Sequence, residues 1–396
     1  MPSEKEFKML FEPIRIGHLK VKNRIAFAPT HVGQGGPRGE VTDQSLCHYS
    51  ARAKGGVGLV ITEAIGLTGR YAFSIGGGLV YLGGMHARGL KNLAEVIHLG
   101  GAKAVAQMIL GQGAQALFHH PNRDLVAPSA ISVNMPAKNV PKPMRGPGDV
   151  QGETARPLTV EEIEELIETS IRAARALKTA GFDGVELHGA HGYLLAEFVS
   201  PLFNQRKDEY GGSFEKRLTL PLRLIEGIRQ EAGDRFVIGY RQSGDEHVEG
   251  GLDLETSVKA AQRLEEAGIN YFHLSSGCSQ ALYWSFPDRE GLLLPEAQAF
   301  KKALKIPVIC PNVHQPQTAE NALEQGMTDV VSLSRSLLAD PKWPQKARDG
   351  RPEEINHCVF CYTCVKSMNR IGTGVRCSVN RQVGWERFLP EYYPFA

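Results

Sequence analysis

The stretch from Asp183 to Ser213 reads DGVELHGAHGYLLAEFVSPLFNQRKDEYGGS. It opens with a short apolar run, Gly184-Val185-Glu186-Leu187, the pattern of a buried strand, and passes without a turn signal into His188-Gly-Ala-His191-Gly-Tyr193. Two imidazoles and a phenol therefore stand at the C-terminal end of a strand. In parallel α/β barrels that end carries the chemistry, because the loops there converge on one pocket. His188 and His191 offer donors to an anion or a carbonyl oxygen, and Tyr193 is a proton donor whose ordinary pKa near ~10 keeps it protonated at neutral pH. Each residue alone could be an ordinary loop residue. All three together, within six positions, point to a site.

Outward from this motif the chain alternates strand and helix. Arg24–Ala28, Val57–Thr62 and Ala104–Gln107 read as strands one to three, and the motif opens strand four. Phe236–Tyr240, Tyr271–Leu274, Pro307–Cys310 and Asp329–Leu333 read as strands five to eight. Thr159-Val-Glu-Glu162 is a capping box that opens a helix through Ala180, with Ile163, Leu166, Ile167, Ile171 and Ala174 at helical spacing. Phe214 to Ala232 reads as another helix. Ile14–Ile16 and Leu19–Val21 flank Gly17-His18 as a hairpin that should plug the bottom of the assembly. The fold expected is a (β/α)8 TIM barrel over residues 1–350 with a short cysteine-rich extension over 351–396. The Pro-rich stretch His119–Arg156 has little periodicity and reads as a long excursion, either a lid or a tolerated decoration.

The cysteines are unevenly placed. Cys47, Cys278 and Cys310 are scattered, whereas the rest follow the spacing Cys358-x2-Cys361-x2-Cys364-x12-Cys377. An odd total of seven with such clustering argues against a secreted disulfide framework and for metal ligation in a reducing compartment. Three cysteines at two-residue intervals with a remote fourth suit a [4Fe-4S] cluster; structural zinc and free thiols are the alternatives.

The segment from Gly181 through Tyr210-Gly211-Gly212-Ser213 to Arg217, together with Lys22-Asn23-Arg24-Ile25 and Ala28-Pro29, resembles the Old Yellow Enzyme group of flavin-dependent oxidoreductases. The cysteine spacing after Leu338-Ala-Asp-Pro341 is similar to the branch with an iron–sulfur cluster, which includes dienoyl-CoA reductase, 2-enoate reductase and trimethylamine dehydrogenase. The resemblance implies FMN at the barrel mouth, against Pro29, Thr30, His31 and Ala64. It implies that Gln107 reads the flavin pyrimidine, and that Arg241 holds negative charge on the reduced ring. It implies that His188 and His191 anchor an electron-withdrawing group, that Tyr193 protonates the substrate, and that Cys358, Cys361, Cys364 and Cys377 hold the cluster. Phosphate candidates are Arg335 and the backbones of Asn312 and Ser334, although many relatives have Gly-Gly and Gly-Arg there. The loop Met108–Ala114 also departs from the family pattern, which lacks here its usual histidine and Gly-Arg pair.

The net charge of +2 gives no electrostatic footprint for nucleic acid or an anionic membrane. No 18-residue apolar run occurs and the amino terminus lacks the apolar core of a signal peptide, so a cytoplasmic location is expected. No Gly-x-Gly-x-x-Gly fingerprint signals a second dinucleotide domain. The expected activity is reduction of an activated C=C bond in a small-molecule substrate, with hydride from NAD(P)H. The alternative is oxidation of an amine or C–H donor, with electrons leaving through the cluster to a separate electron-transfer protein. The trimethylamine dehydrogenase-like cysteine spacing favours the second; that branch has tyrosine where His188 stands, which favours the first. A structural subunit with decayed cofactor sites is the third class. The aromatic tail Trp385–Ala396 either packs on the barrel or docks another subunit of a homo-oligomer.

Overall fold

A computed structural model describes residues 7–67, 77–115, 124–368 and 374–394. Eight parallel strands close on themselves: β1 (Ile25–Phe27), β2 (Leu59–Ile61), β3 (Lys103–Ile109), β4 (Gly184–Gly189), β5 (Val237–Ser243), β6 (Tyr271–Ser275), β7 (Val308–Cys310) and β8 (Val330–Leu333). Successive strands are neighbours, and β8 returns to β1 with Leu333 opposite Phe27. A further pair, Ile65–Gly66, lies along the far end of β3. The expected barrel is present.

The helices that follow the strands include α1 (Asp43–Lys54), α2 (Gly84–Leu99), α3 (Val160–Thr179), α4 (Leu194–Val199), α5 (Thr219–Ala232), α6 (Leu254–Glu266), α7 (Leu294–Ala303), α8 (Pro316–Glu324) and α9 (Arg335–Ala339). The capping box of α3 forms as read, Thr159 accepting from the Glu162 amide while the Glu162 side chain accepts from that of Thr159. Ile163, Leu166, Ile167 and Ala174 are buried on its inner face. The expected single helix Phe214–Ala232 is instead two, Phe214–Arg217 and α5, with Leu218 between them. Pro221 explains the break: it has no N–H to reach the Arg217 carbonyl and its ring would clash there.

The barrel interior changes character along its axis. At the amino-terminal end the hairpin Ile14–Ile16/Leu19–Val21 packs its Ile16, Leu19 and Val21 against Ala26, Leu59, Ile61, Val105, Val237, Ile309 and Val330, so it closes the bottom. Above that layer the interior is polar. Parallel register sets Gln107 beside Glu186, and Glu186 beside Gly239 and so level with Tyr271. A Cβ on Gly239 would lie 2.0 Å from the Tyr271 ring, so glycine there lets the tyrosine cross to Glu186. The Glu186 carboxylate accepts from Gln107 Nε2 at 2.7 Å, Tyr271 OH at 2.9 Å and His273 Nδ1 at 2.8 Å. The other His273 nitrogen lies 2.9 Å from Ser332 Oγ, which carries the network across to β8. Burial raises the Glu186 pKa, but the facing His273 and then Arg241 overcome it and hold the carboxyl below its usual range.

The described part of the excursion, 124–156, is neither loose nor detached. Val126–Ala127 pairs with Arg156–Pro157, Met135 bridges Val150, and Ala127, Val133 and Ala155 pack on Ala114, Phe203, Cys278 and Ala281 at the mouth of the barrel.

Candidate active site

The central motif turns through two residues in the left-handed region, His191 at φ 66° and Gly192 at φ 74°, before Tyr193 caps α4. Four elements hold that turn. The His191 amide donates to Ser243 Oγ, and its carbonyl accepts from Gln115 Nε2 at 2.9 Å and from Ser279 Oγ at 3.3 Å. The His191 ring nitrogen Nε2 lies 2.5 Å from Ser275 Oγ, and the Leu194 amide donates to Gly111 O. The three predicted side chains are drawn together: ring centroids are 5.1 Å apart for His188–Tyr193, 5.2 Å for His188–His191 and 6.4 Å for His191–Tyr193.

Electrostatics fixes their protonation. Burial, then the Arg241 charge, pushes both His188 and His191 well below the usual imidazole range, so both are neutral at pH 7. Burial raises the Tyr193 phenol, which stays protonated. Arg241 lies inside β5 rather than at its end, opposite His188 on β4 and His273 on β6. Its Nη2 reaches Ser275 Oγ at 3.4 Å, while its Nε and His188 Nδ1 are buried without a hydrogen-bond partner. Two orphaned polar atoms beside a neutral donor triangle fit a polar heterocycle or a carbonyl group lying over the barrel mouth.

The remaining predicted flavin contacts fall at the same end. Pro29, Thr30 and His31 follow β1 and Ala64 follows β2; all are half-buried, whereas Ala28, Thr62 and Glu63 beside them are buried. Thr30 Oγ1 is 2.7 Å from Ser334 Oγ, so the β1 and β8 loops meet. His31 Nδ1 is 3.1 Å from Glu63, whose Oε2 also accepts from the Val32 amide. Gln107 commits its Nε2 to Glu186. Asn312 takes φ 62°, the left-handed conformation that glycine serves elsewhere and asparagine tolerates, and its side chain anchors the Leu292 amide and the Arg289 carbonyl. Its backbone carbonyl accepts from the Gly291 amide at 2.8 Å.

Arg335 stands somewhere the sequence did not indicate. Its guanidinium lies over the rings of Phe360, 4.9 Å, and Tyr362, 5.5 Å, and donates to Pro287 O at 2.7 Å. It lines one pocket with Leu338, Tyr362, Cys358, Cys361, Cys364 and Cys377. None of the four is in a disulfide. Phe360 and Tyr362, on either side of Cys361, have φ of 52° and 58°, an alternation that turns backbone amides inward in anion-holding concavities such as iron–sulfur sites. Among the described residues no three His, Cys, Asp or Glu side chains are drawn to a single-ion position. Four thiols around one pocket, with the half-buried Arg335 guanidinium beside them, fit a polynuclear centre of net negative charge. The extension is tied to the barrel mouth: Tyr362 OH donates to Phe286 O, the Val375 amide to Val32 O, and Val375 and Val383 pack on Val32 and Leu338.

Residues 9–354 match the model of the NADH:flavin oxidoreductase / NADH oxidase family. The chain belongs to this family. An NADH oxidase of Thermoanaerobacter brockii is 37% identical over 97% of the chain and 58% of its own length. A cinnamate reductase of Clostridium sporogenes is 31% identical over 96% of the chain and 59% of its own length. The solved complex of 2-naphthoyl-CoA reductase with 2-naphthoyl-CoA superposes with a TM-score of 0.86 at 31% identity, over 96% of this chain and 58% of that one. The chain thus spans under three-fifths of the length of these relatives. No helix among the described residues is long and apolar enough to cross a membrane.

Within this family member much of the long motif is scaffold. Asn204 Nδ2 donates to both the Phe198 and Tyr210 carbonyls, Arg217 Nε donates to Val199 O, and Tyr210 OH joins Glu164 and Arg223. Glu186 and His273 are polar groups at the site that the sequence reading passed over. Glu186 had one available signal, since two positions before His188 on a strand it shares that residue's face. Glu197 is another: it is buried, burial raises it well above the usual carboxyl range, and it accepts from the Ala114 amide at 2.6 Å. Gly113 has φ 69°, and a Cβ there would lie 2.4 Å from the Glu197 carboxyl. Gly113→Ala is expected to cost ~1–3 kcal/mol, read as a lower urea midpoint with an unchanged slope.

Proposed function

We propose that this chain holds FMN and a [4Fe-4S] cluster and reduces an activated C=C bond, with hydride that originates in NAD(P)H. Residues 1–350 would form the flavin barrel, and 351–396 the cluster-holding extension. The observation that carries the reading is the triangle of buried, neutral His188 with half-buried, neutral His191 and protonated Tyr193 beside Arg241. Neutral imidazoles donate to a carbonyl oxygen without forming an ion pair that would trap it, so they polarise an enone or enoate and release the product. Tyr193 delivers its proton to the α carbon. When bound, FMN supplies the hydride to the β carbon. Pro29, Thr30, His31, Ala64 and Gln107 would line its ring, Arg241 would stabilise its reduced form, and Arg335 with the Asn312 and Ser334 backbones would take its phosphate. Cys358, Cys361, Cys364 and Cys377 would ligate the cluster, which passes electrons singly where the flavin handles pairs.

The test is an anoxic absorbance titration of the purified chain with NADH, then NADPH, then cinnamate as the probe alkene. The flavin band should bleach with one nicotinamide and return when the alkene is added. A flavin that stays oxidised with both nicotinamides, with a cluster that is instead reduced by an amine donor, would replace this reading by donor oxidation coupled to a separate electron-transfer protein.

A further inference from the structure

The Cys361 sulfur sits in a hydroxyl pair that the other three cysteines lack. Its Sγ is 2.9 Å from Ser378 Oγ and 3.3 Å from Thr363 Oγ1. Among the described residues no hydroxyl hydrogen-bonds to the sulfur of Cys358, Cys364 or Cys377. The pair comes from two directions, Thr363 from the helical turn Thr363–Met368 and Ser378 from the bend that follows Cys377. The same corner is the solvent-side rim of the pocket, where Val359 is 60% and Val379 37% exposed, whereas Arg335 lines the opposite, barrel side. A ligating cysteine is a thiolate with no proton to give, so in the loaded protein both hydroxyls must donate to the sulfur. Each O–H···S bond withdraws electron density from the sulfur and favours the reduced cluster over the oxidised one.

We propose that Ser378 and Thr363 raise the reduction potential of the iron–sulfur cluster through Cys361. They make the cluster the downhill acceptor for single electrons from the flavin, which NAD(P)H has reduced. The inference rests on the cofactor reading above. In the step itself one electron moves, the flavin is oxidised, the cluster is reduced, and no covalent bond changes. Ser378 and Thr363 are tuning residues, since they touch a ligand sulfur and neither the flavin nor the substrate.

The experiment is an EPR-monitored potentiometric titration of the full chain, purified without oxygen, as wild type and as Ser378→Ala, Thr363→Val, the double variant and Ser378→Thr. The one-electron equilibrium should move about tenfold toward the oxidised cluster in the double variant, a fall of about 59 mV, and about threefold in each single one. Ser378→Thr keeps the hydroxyl and should stay within twofold of wild type. A double variant that retains the cluster and titrates within twofold of wild type overturns the proposal. If Ser378→Ala does not hold the cluster, Thr363→Val alone decides by the same criterion. Loss of the cluster from every hydroxyl-free variant, with retention in Ser378→Thr, would make the hydroxyls ligand-orienting and also overturn it. A wild-type chain that holds zinc or no iron fails the cofactor reading itself, and metal analysis identifies that case before any variant is compared.

Discussion

Tyr193→Phe is expected to lower the rate of alkene reduction by ~10²–10⁴-fold while flavin reduction by NAD(P)H proceeds at the wild-type rate. The reason is positional. Tyr193 is fixed as the residue before α4, its ring lies 5.1 Å from that of His188, and burial keeps its proton in place. Phenylalanine fills the same volume and leaves the imidazoles where they are, so substrate binding should change little and the loss should appear in the second half-reaction, measured by stopped-flow reoxidation with alkene. The pH profile of that half-reaction gives a second reading. Both imidazoles are pushed down and the phenol is pushed up, so the rate should be flat from about pH 6.5 to about pH 10 as far as these groups are concerned. Equal alkene turnover in Tyr193→Phe would remove the phenol from the chemistry, and an inflection near pH 6.5 would mean that one imidazole titrates during turnover.

The second large effect is on stability. Glu386, in the C-terminal segment, is 2% exposed and accepts from Arg52 Nη1 at 2.6 Å, Gln44 Nε2 at 2.8 Å and the Gly384 amide at 2.8 Å, with His48 Nδ1 at 3.0 Å. Arg52 and His48 on α1 are themselves fully buried. Glu386→Ala should therefore cost ~3–5 kcal/mol at pH 7, because it leaves a guanidinium in the interior without its counter-charge. Thermal or urea unfolding measures the loss, and proteolysis should cut the variant's C-terminal segment first. Burial raises the Glu386 pKa, but Arg52 and then His48 overcome it and hold the carboxyl far below the usual range. A depressed carboxyl contributes stability above its unfolded pKa of about 4.3 and loses it as pH falls through the folded value. The gap between wild type and variant should thus narrow steadily below about pH 4. His48, pushed down by burial and then by Arg52, adds acid sensitivity of the same sign that begins below its unfolded pKa of about 6.5. An unchanged unfolding midpoint for Glu386→Ala would show that the guanidinium reaches water or another acceptor.

The barrel was legible because its signals are local. Period, capping box and turn residues placed eight strands and the hairpin within a few residues, and the broken helix at Leu218 follows from one proline that the helical pattern around it concealed. The triangle was legible for the same reason, since all three side chains sit on one turn. What escaped lies between distant segments. Arg241 was placed at a strand end because Gln242 and Ser243 look like loop residues, yet both are in the ladder and buried. Glu186 looked like an interruption in an apolar run, and only the neighbouring strands supply Gln107, Tyr271 and His273. Arg335 was read only from its place after β8, and nothing near it in sequence says that Phe360 and Tyr362 stack on its guanidinium. Of the aromatic tail only part packs on the barrel side. Tyr392 is buried, while Trp385 is 49% and Phe388 61% exposed, each beside an arginine.

The clasp on Glu386 also constrains the order in which the molecule can be assembled. Arg52 and Glu386 are 334 positions apart. On a ribosome adding ~5–20 residues per second, α1 emerges roughly 20–70 s before the carboxylate that neutralises it. Until then the first β/α units cannot bury Arg52 and His48 as the finished protein does, and β1 also lacks its neighbour β8. The amino-terminal units must therefore wait, partly open, for the end of the chain. This is a late, long-range closure of the kind that makes folding slow and leaves a nascent chain dependent on chaperones.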